Sequence, residues 1–251
     1  MRRQAPYVRP MGPSEPIFPG GTAVSGLSVY PWEAEDGVCG GSPHVHLTCT
    51  EAYVTVGGTG AVHTLTASGF QETPLADGAV VWFSPGTIHR AVNHDGALRV
   101  IVVMQNSGLP EAGDAVFTFP PHILADPEAY RRAATLSDPM EAAARARRDL
   151  AVEGFQVLVE HVRRGDVGPL ADFYRAAVAL KRDLMDAWER IWRSGPAEAA
   201  RRTDEHLTGL RAGRIDHLLQ AGVRDVSAPP ERAFGMCGRL DTYAVRTSFP
   251  A

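Results

Sequence analysis

Cysteine is scarce in this chain of 251 residues: Cys39, Cys49 and Cys237 are an odd number and form no Cys-x-x-Cys pair. That argues against a disulfide framework and a thiolate zinc site, and three reduced thiols are expected. Long apolar runs are also missing. Val100 to Met104 is among the longest, far short of the roughly 20 residues a helix needs to cross a bilayer, so no membrane partner is expected. Excess positive charge is absent. A formal net charge of -4 and a pI near 6.1 give no general attraction to phosphate backbones or anionic lipid, so no nucleic-acid partner is expected. The start, Met-Arg-Arg-Gln-Ala-Pro, is basic but leads into proline and glycine instead of an apolar signal segment, and a cytoplasmic protein is expected. No repeat at solenoid or propeller spacing appears.

What is present is ordinary globular material, 44% hydrophobic and 22% charged, that changes character near residue 120. Before the break, short β-branched or aromatic runs alternate with turns. The runs are Thr22 to Trp32, Ala52 to Val56, Ala61 to Ala67, Ala79 to Phe83 and Arg99 to Gln105; the turns include Gly57-Gly58, Asp77-Gly78, Pro85-Gly86 and Asp95-Gly96. This pattern predicts an antiparallel sandwich or barrel. After Pro120-Pro121, alanine, arginine, leucine and glutamate take over at helical spacing. Leu170, Phe173, Ala177, Leu180, Leu184, Trp188 and Ile191 form one apolar stripe, which predicts a single helix to Trp192. Ser194-Gly195-Pro196 ends it and opens another helix, the two forming an antiparallel hairpin, with Ala199, Leu207, Leu210, Ile215, Leu218 and Leu219 expected to be buried. Helices are also expected over Asp126 to Ala134 and Met140 to Val162. Alternation of Tyr243, Val245 and Thr247 suggests a strand from Leu240 to Ser248 that returns to the sheet. The expected division is an arm over 1–20, a barrel over 21–120, a helical extension over 121–230 and a tail over 231–251.

His44 and His46 stand two apart, so on a strand both imidazoles face one side and Val45 the other. Glu51 follows at the head of the next strand, and His89 comes just past the turn Ser84-Pro85-Gly86-Thr87. Three imidazoles and a carboxylate suit a divalent metal ion with coordination positions left open. These residues resemble the two motifs of the cupin superfamily. His44-Val45-His46-Leu47-Thr48-Cys49-Thr50-Glu51 with Gly57 or Gly58 matches the first; Gly78, Pro85-Gly86-Thr87-Ile88-His89 and Asn93 match the second. One departure is that the family's usual proline falls on Ser84, with Pro85 displaced by one. The resemblance covers about residues 20 to 107. It implies a mainly β double-stranded jelly-roll barrel of about six to eight strands, followed here by an α-helical C-terminal region. It also implies that His44, His46, Glu51 and His89 hold one iron, manganese, nickel or zinc ion.

A small-molecule substrate or ligand is the expected partner. If the metal is iron, the resemblance implies dioxygenase chemistry; zinc, manganese or nickel would suit a sugar or small-molecule isomerase, epimerase or lyase. A non-catalytic ligand-binding cupin is the reading from another class. Glu51 and Tyr53 are the candidate catalytic residues. Tyr53 and Thr55 share strand parity with Glu51, and Trp82 lies in the strand before His89, so these are weighed as cavity lining against core packing. Asn93 is weighed as a turn cap against a pocket group, and Cys49 reads as a buried small residue without a basic partner. His63, His94, His122, His161, His206 and His217 read as ordinary polar residues. Arg145, Arg147, Arg148, Arg163 and Arg164 are interleaved with acids, against an anionic partner. Barrels of this kind pair through sheet edges, and an uncovered apolar helix stripe adds surface, so a homodimer is expected.

Overall fold

The computed structural model describes residues 18–243. The strands are β1 (Ala23–Val29), β2 (His44–His46), β3 (Glu51–Gly57), β4 (Gly60–Thr66), β5 (Gly69–Leu75), β6 (Val80–Phe83), β7 (Ile88–Asn93), β8 (Arg99–Met104), β9 (Ala115–Phe117), β10 (Ala233–Phe234) and β11 (Gly238–Thr242). They form two antiparallel sheets, of order β10-β11-β1-β8-β3-β6 and β5-β4-β7-β2-β9. The chain crosses between sheets after every strand from β1 to β9 except β4, which wraps them into a jelly-roll barrel, the fold that the motif resemblance implies.

Alternation along each strand divides the side chains between two cores. Leu27, Val29, Tyr53, Val62, Phe83, Ala91, Val100, Val102 and Met104 fill the barrel interior. Val45, Leu65, Ile88 and Val116 point the other way and pack under helices. Three strands have no signal in the sequence, the two-residue β10 among them. The β5 segment Gly-Phe-Gln-Glu-Thr-Pro-Leu has few β-branched residues and holds Pro74, tolerated because β5 is a sheet edge. The β9 segment is three residues long, too short for a periodicity.

The helices are α1 (Pro121–Leu124), α2 (Pro127–Ala134), α3 (Met140–Arg163), α4 (Gly168–Lys181), α5 (Met185–Ser194), α6 (Pro196–Arg211) and α7 (Asp216–Leu219). Asp126 caps α2 by accepting from the Glu128 N–H, with Pro127 in the first turn as expected. Phe155, Leu158, Val159 and Val162 of α3 lie in the core on the outer face of the five-stranded sheet. Arg147 and Arg148 are buried in α3 and donate to backbone carbonyls: Arg148 to Trp32 and Glu33 at 2.7 and 2.9 Å, Arg147 to Gly235 at 2.8 Å. These guanidiniums tie the helix to the barrel and to its tail. No helix among the described residues is long and apolar enough to cross a membrane.

Three expectations need correction. The stripe from Leu170 to Trp192 is two helices, because a tight turn over Arg182–Leu184 breaks it and leaves Leu184 exposed. The break redirects α5 toward one end of the barrel, where Trp188 is buried. Leu207, Leu210, Ile215, Leu218 and Leu219 are exposed, Leu219 by 78%, since α6 meets only α5 and the turn at Pro19–Gly21 closely. The returning tail strand ends at Thr242, paired with β1 in the register Leu27 to Leu240; Val245 and Thr247 lie outside the described residues.

Candidate metal centre

The ligand candidates come from both sheets. His44 and His46 sit on the inner face of β2, and β2 pairs with β7 so that His44 lies directly opposite His89. Glu51 opens β3 on the facing sheet, between Phe83 and Met104 on its neighbours. The closing of the barrel therefore brings the three imidazoles and the carboxylate together, their potential ligand atoms all within 4.8 Å of one another. All four are buried: His44 is 3% exposed, His46 5%, Glu51 4% and His89 0%.

Each imidazole is held by its outer nitrogen. Nδ1 of His44 lies 2.9 Å from the Ser42 carbonyl, Nδ1 of His89 3.1 Å from the Thr87 carbonyl, and Nδ1 of His46 2.6 Å from Oδ1 of Asp114. An acceptor at every Nδ1 assigns the proton there and leaves Nε2 with a free lone pair in the neutral ring. Inside, Oε2 of Glu51 is 3.0 Å from His89 Nε2 and 3.5 Å from His46 Nε2. Both Oε2 of Glu51 and Nε2 of His89 are fully buried yet have no hydrogen-bond partner among the described residues. Orphaned buried polar atoms cost free energy. Two of them facing each other beside two further lone-pair donors fit a cation that would satisfy them together.

The electrostatics agree. Burial, then the neighbouring His89 and His46, holds His44 well below the usual histidine value, so it stays neutral and able to ligate. Burial alone would raise Glu51, but His89 and His46 outweigh it and keep the carboxylate ionised. Burial would likewise lower His46, but the hydrogen bond to Asp114 and the charge of Glu51 reverse this and raise it. Burial opposes ionisation of Asp114 too, and His46 overcomes it, holding Asp114 low.

Asp114 is wholly buried and was not anticipated from sequence. Its second oxygen accepts from Oγ1 of Thr48 at 3.0 Å, so one carboxylate fixes both His46 and the loop after it. Cys237 reads in sequence as a reduced thiol, yet its Sγ lies 4.0 Å from Nδ1 of His44 and donates to the Ser42 carbonyl at 3.6 Å. Gly41 admits it: a Cβ there would fall 2.2 Å from Cys237 Cα. Neither residue carries a local signal, since each reaches the site only through the fold. Tyr53 and Thr55 do face inward with Glu51 and are buried. Trp82 does not line the cavity. It pairs with Ala52, whose side chain points outward, and is 70% exposed. Asn93 is structural, donating to Val29 O and accepting from Leu98 N. Cys49 is buried, with burial raising its thiol. Among the other histidines, His63 bonds Glu72 at 2.7 Å and His206 stacks on His217, all away from the ligand set.

The chain is thus a jelly-roll barrel enclosing a cluster that can hold a metal ion. No family model and no curated protein matches it. Partial likeness extends to solved structures. A conserved Klebsiella pneumoniae protein with a double-stranded β-helix domain is 20% identical, covering 43% of this chain and 93% of that one, at a TM-score of 0.30. A nucleoside dehydratase from Streptomyces is 15% identical over 42% of this chain and 69% of its own, at 0.29. A TDP-fucose-3,4-ketoisomerase from Campylobacter jejuni is 8% identical over 38% and 64%, at 0.30.

Proposed function

We propose that this chain is a metal-dependent enzyme acting on a small molecule, with His44, His46, Glu51 and His89 as ligands and an oxygen-dependent, dioxygenase-like reaction favoured. The convergence of three Nε2 atoms, each released by an anchored Nδ1, on one buried carboxylate carries this reading. Such an ion, when bound, supplies a Lewis acid or, if it is iron, a redox centre with open positions for substrate and dioxygen. The surroundings favour the second use. An isomerase or lyase needs an acid-base group poised near neutrality. The buried titratable groups beside the ligands are poorly suited: burial, with Glu51 next, raises Tyr53 well above its usual value, and burial pushes Cys237 up to about 12. Both keep their protons, and neither is a ready base. Elemental analysis of protein purified without chelator tests the assignment. About one equivalent of iron, with a spectrum perturbed by nitric oxide as a dioxygen surrogate, is expected. Zinc, manganese or nickel would redirect assays toward isomerase or lyase chemistry, and no metal even after reconstitution overturns the metalloenzyme reading.

A homodimer belongs to the same reading. Across the outer face of the six-stranded sheet run the rows Trp82, Ala52, Val103 and Val80, Val54, Ile101, and Trp82 and Val80 are exposed among the described residues. An exposed apolar patch of this kind pairs with its own copy about a two-fold axis in the proposed dimer. Light scattering should give twice the 27.0 kDa chain mass, and Trp82→Glu should return the single-chain mass without loss of helicity. A parent at the single-chain mass at micromolar concentration sinks this part.

A further inference from the structure

The metal ligands lie at the end of the barrel where the loops 47–50, 84–87 and 105–114 gather, and the helical extension lies across that end. Oη of Tyr174 in α4 donates to the Gly86 carbonyl at 2.6 Å, and Nε1 of Trp188 in α5 donates to the Ala112 carbonyl at 3.1 Å. Gly108 makes room for Ile191, whose Cγ2 would stand 2.6 Å from a Cβ there. Trp188 is 5% exposed and belongs to the barrel-interior cluster with Tyr53, Phe83 and Met104, the aromatic and apolar neighbours of Glu51 and His89. A helix side chain is thus buried in the same apolar cluster as the residues around the candidate ligands. Outside it, between the rim residues Leu47, Thr48 and Leu109 and the helix residues Val178, Trp188 and Trp192, lies a groove of about 450 Å³. That volume is within the range of small-molecule sites. Thr48 in its wall bonds Asp114, which bonds His46, so the groove stands two hydrogen bonds from a ligand.

We infer that Trp188 is the gate between this groove and the ligand cluster, and that the groove receives the apolar, ring-sized part of the substrate. Trp188 lines the groove and belongs to the same buried cluster as Tyr53 and Phe83, which pack against His89. The helix carrying it is ten residues long, with the tighter 3₁₀ turn Arg182–Leu184 before it and the non-helical Gly195 after it, and these are the two joints at which α5 tilts. The acid at the groove, Glu189, is already paired with Arg193 at 2.5 Å, which leaves a surface that selects for a neutral apolar group. The inference rests on the metal-centre reading above.

The test is the rate at which pyridine-2,6-dicarboxylate extracts cobalt(II) from the loaded full-length protein. Trp188→Ala should speed extraction about tenfold or more and Trp188→Phe by less, as expected when a closing element limits access. Leu207→Ala, exposed on α6 and outside the groove's lining, should leave the rate unchanged. In the parent, 2-naphthol should slow extraction by filling the groove, and Val178→Arg should remove that slowing. If the parent takes up no cobalt, the metal reading fails first. If it takes up one equivalent and the rates do not move, the gate alone is refuted. Should Trp188→Ala not fold by circular dichroism, Trp188→Phe decides the matter, and an unchanged rate in it refutes the gate. Absence of any naphthol effect refutes the groove's role.

Discussion

A His44→Ala, His89→Ala double variant will take up no metal under conditions that saturate the parent, and an Asp114→Asn variant will take it up with roughly 10- to 100-fold lower affinity. The double variant removes two of three nitrogen donors, so its loss must exceed the loss from an outer partner. The consequence is thermodynamic as well as analytical. A ligand at about 100 times its dissociation constant stabilises the fold by roughly 2.7 kcal/mol, so metal should raise the melting temperature of the parent and leave that of the double variant unmoved. For Asp114→Asn the pH must be chosen with care. Burial alone would lower His46, but Asp114, with Glu51, raises it above its usual value, so uptake must displace a proton and weakens as pH falls through that raised value. Losing the Asp114 charge lowers His46 and moves this proton competition to lower pH. Raising the pH until the affinity of each protein stops rising removes this competition, and the difference that remains on that plateau measures how well the carboxylate orients the ring. Equal affinities there would show that Asp114 serves the loop and not the ligand.

What could be read in advance follows the range over which each residue acts. The His44, Val45, His46 alternation is local, and it places both imidazoles inward and Val45 under the helices, as the structure has it. Glu51 and His89 follow from motif spacing, and their meeting needs only that β2 pair with β7. Asp114 is 68 residues from His46 and sits after an unremarkable Glu-Ala-Gly, and Cys237 is 193 residues from His44. No spacing rule reaches so far. Trp82 failed for a different reason. Val80 to Phe83 is apolar throughout, without alternation, so which residues face inward is decided by pairing with β3, and that pairing turns Phe83 in and Trp82 out. The helical stripe through Leu184 misled because its spacing persists across a joint that carries no glycine or proline. Leu207 to Leu219 look like core in sequence, and only the fold shows that α6 and α7 extend past the barrel.

Gly154→Ala is expected to destabilise the protein by about 2 kcal/mol, against the sign that helix propensity predicts. In an open helix the exchange would gain roughly 1 kcal/mol. Here Gly154 is buried in the middle of α3, and a Cβ would lie 2.0 Å from the Thr118 carbonyl oxygen and 2.9 Å from the Phe119 carbonyl carbon. The obstacle is backbone, which cannot rotate away as a side chain can, so the helix itself must move. Overpacking of this kind costs typically about 1 to 3 kcal/mol and more where nothing yields, which outweighs the propensity gain. Thermal denaturation should show a fall of roughly 4 to 8 °C for a chain of this size. Gly222→Ala, with open space around its Cβ, should change little. The displaced segment also reports on function. Thr118 Oγ1 bonds Ala151 O at 2.7 Å and follows β9, whose Phe117 pairs with His44, so pushing α3 outward draws on the strand that holds a ligand. Gly154→Ala should therefore bind metal more weakly than its loss of stability alone predicts. An affinity equal to the parent's would show that the barrel holds β2 rigid without help from the helix.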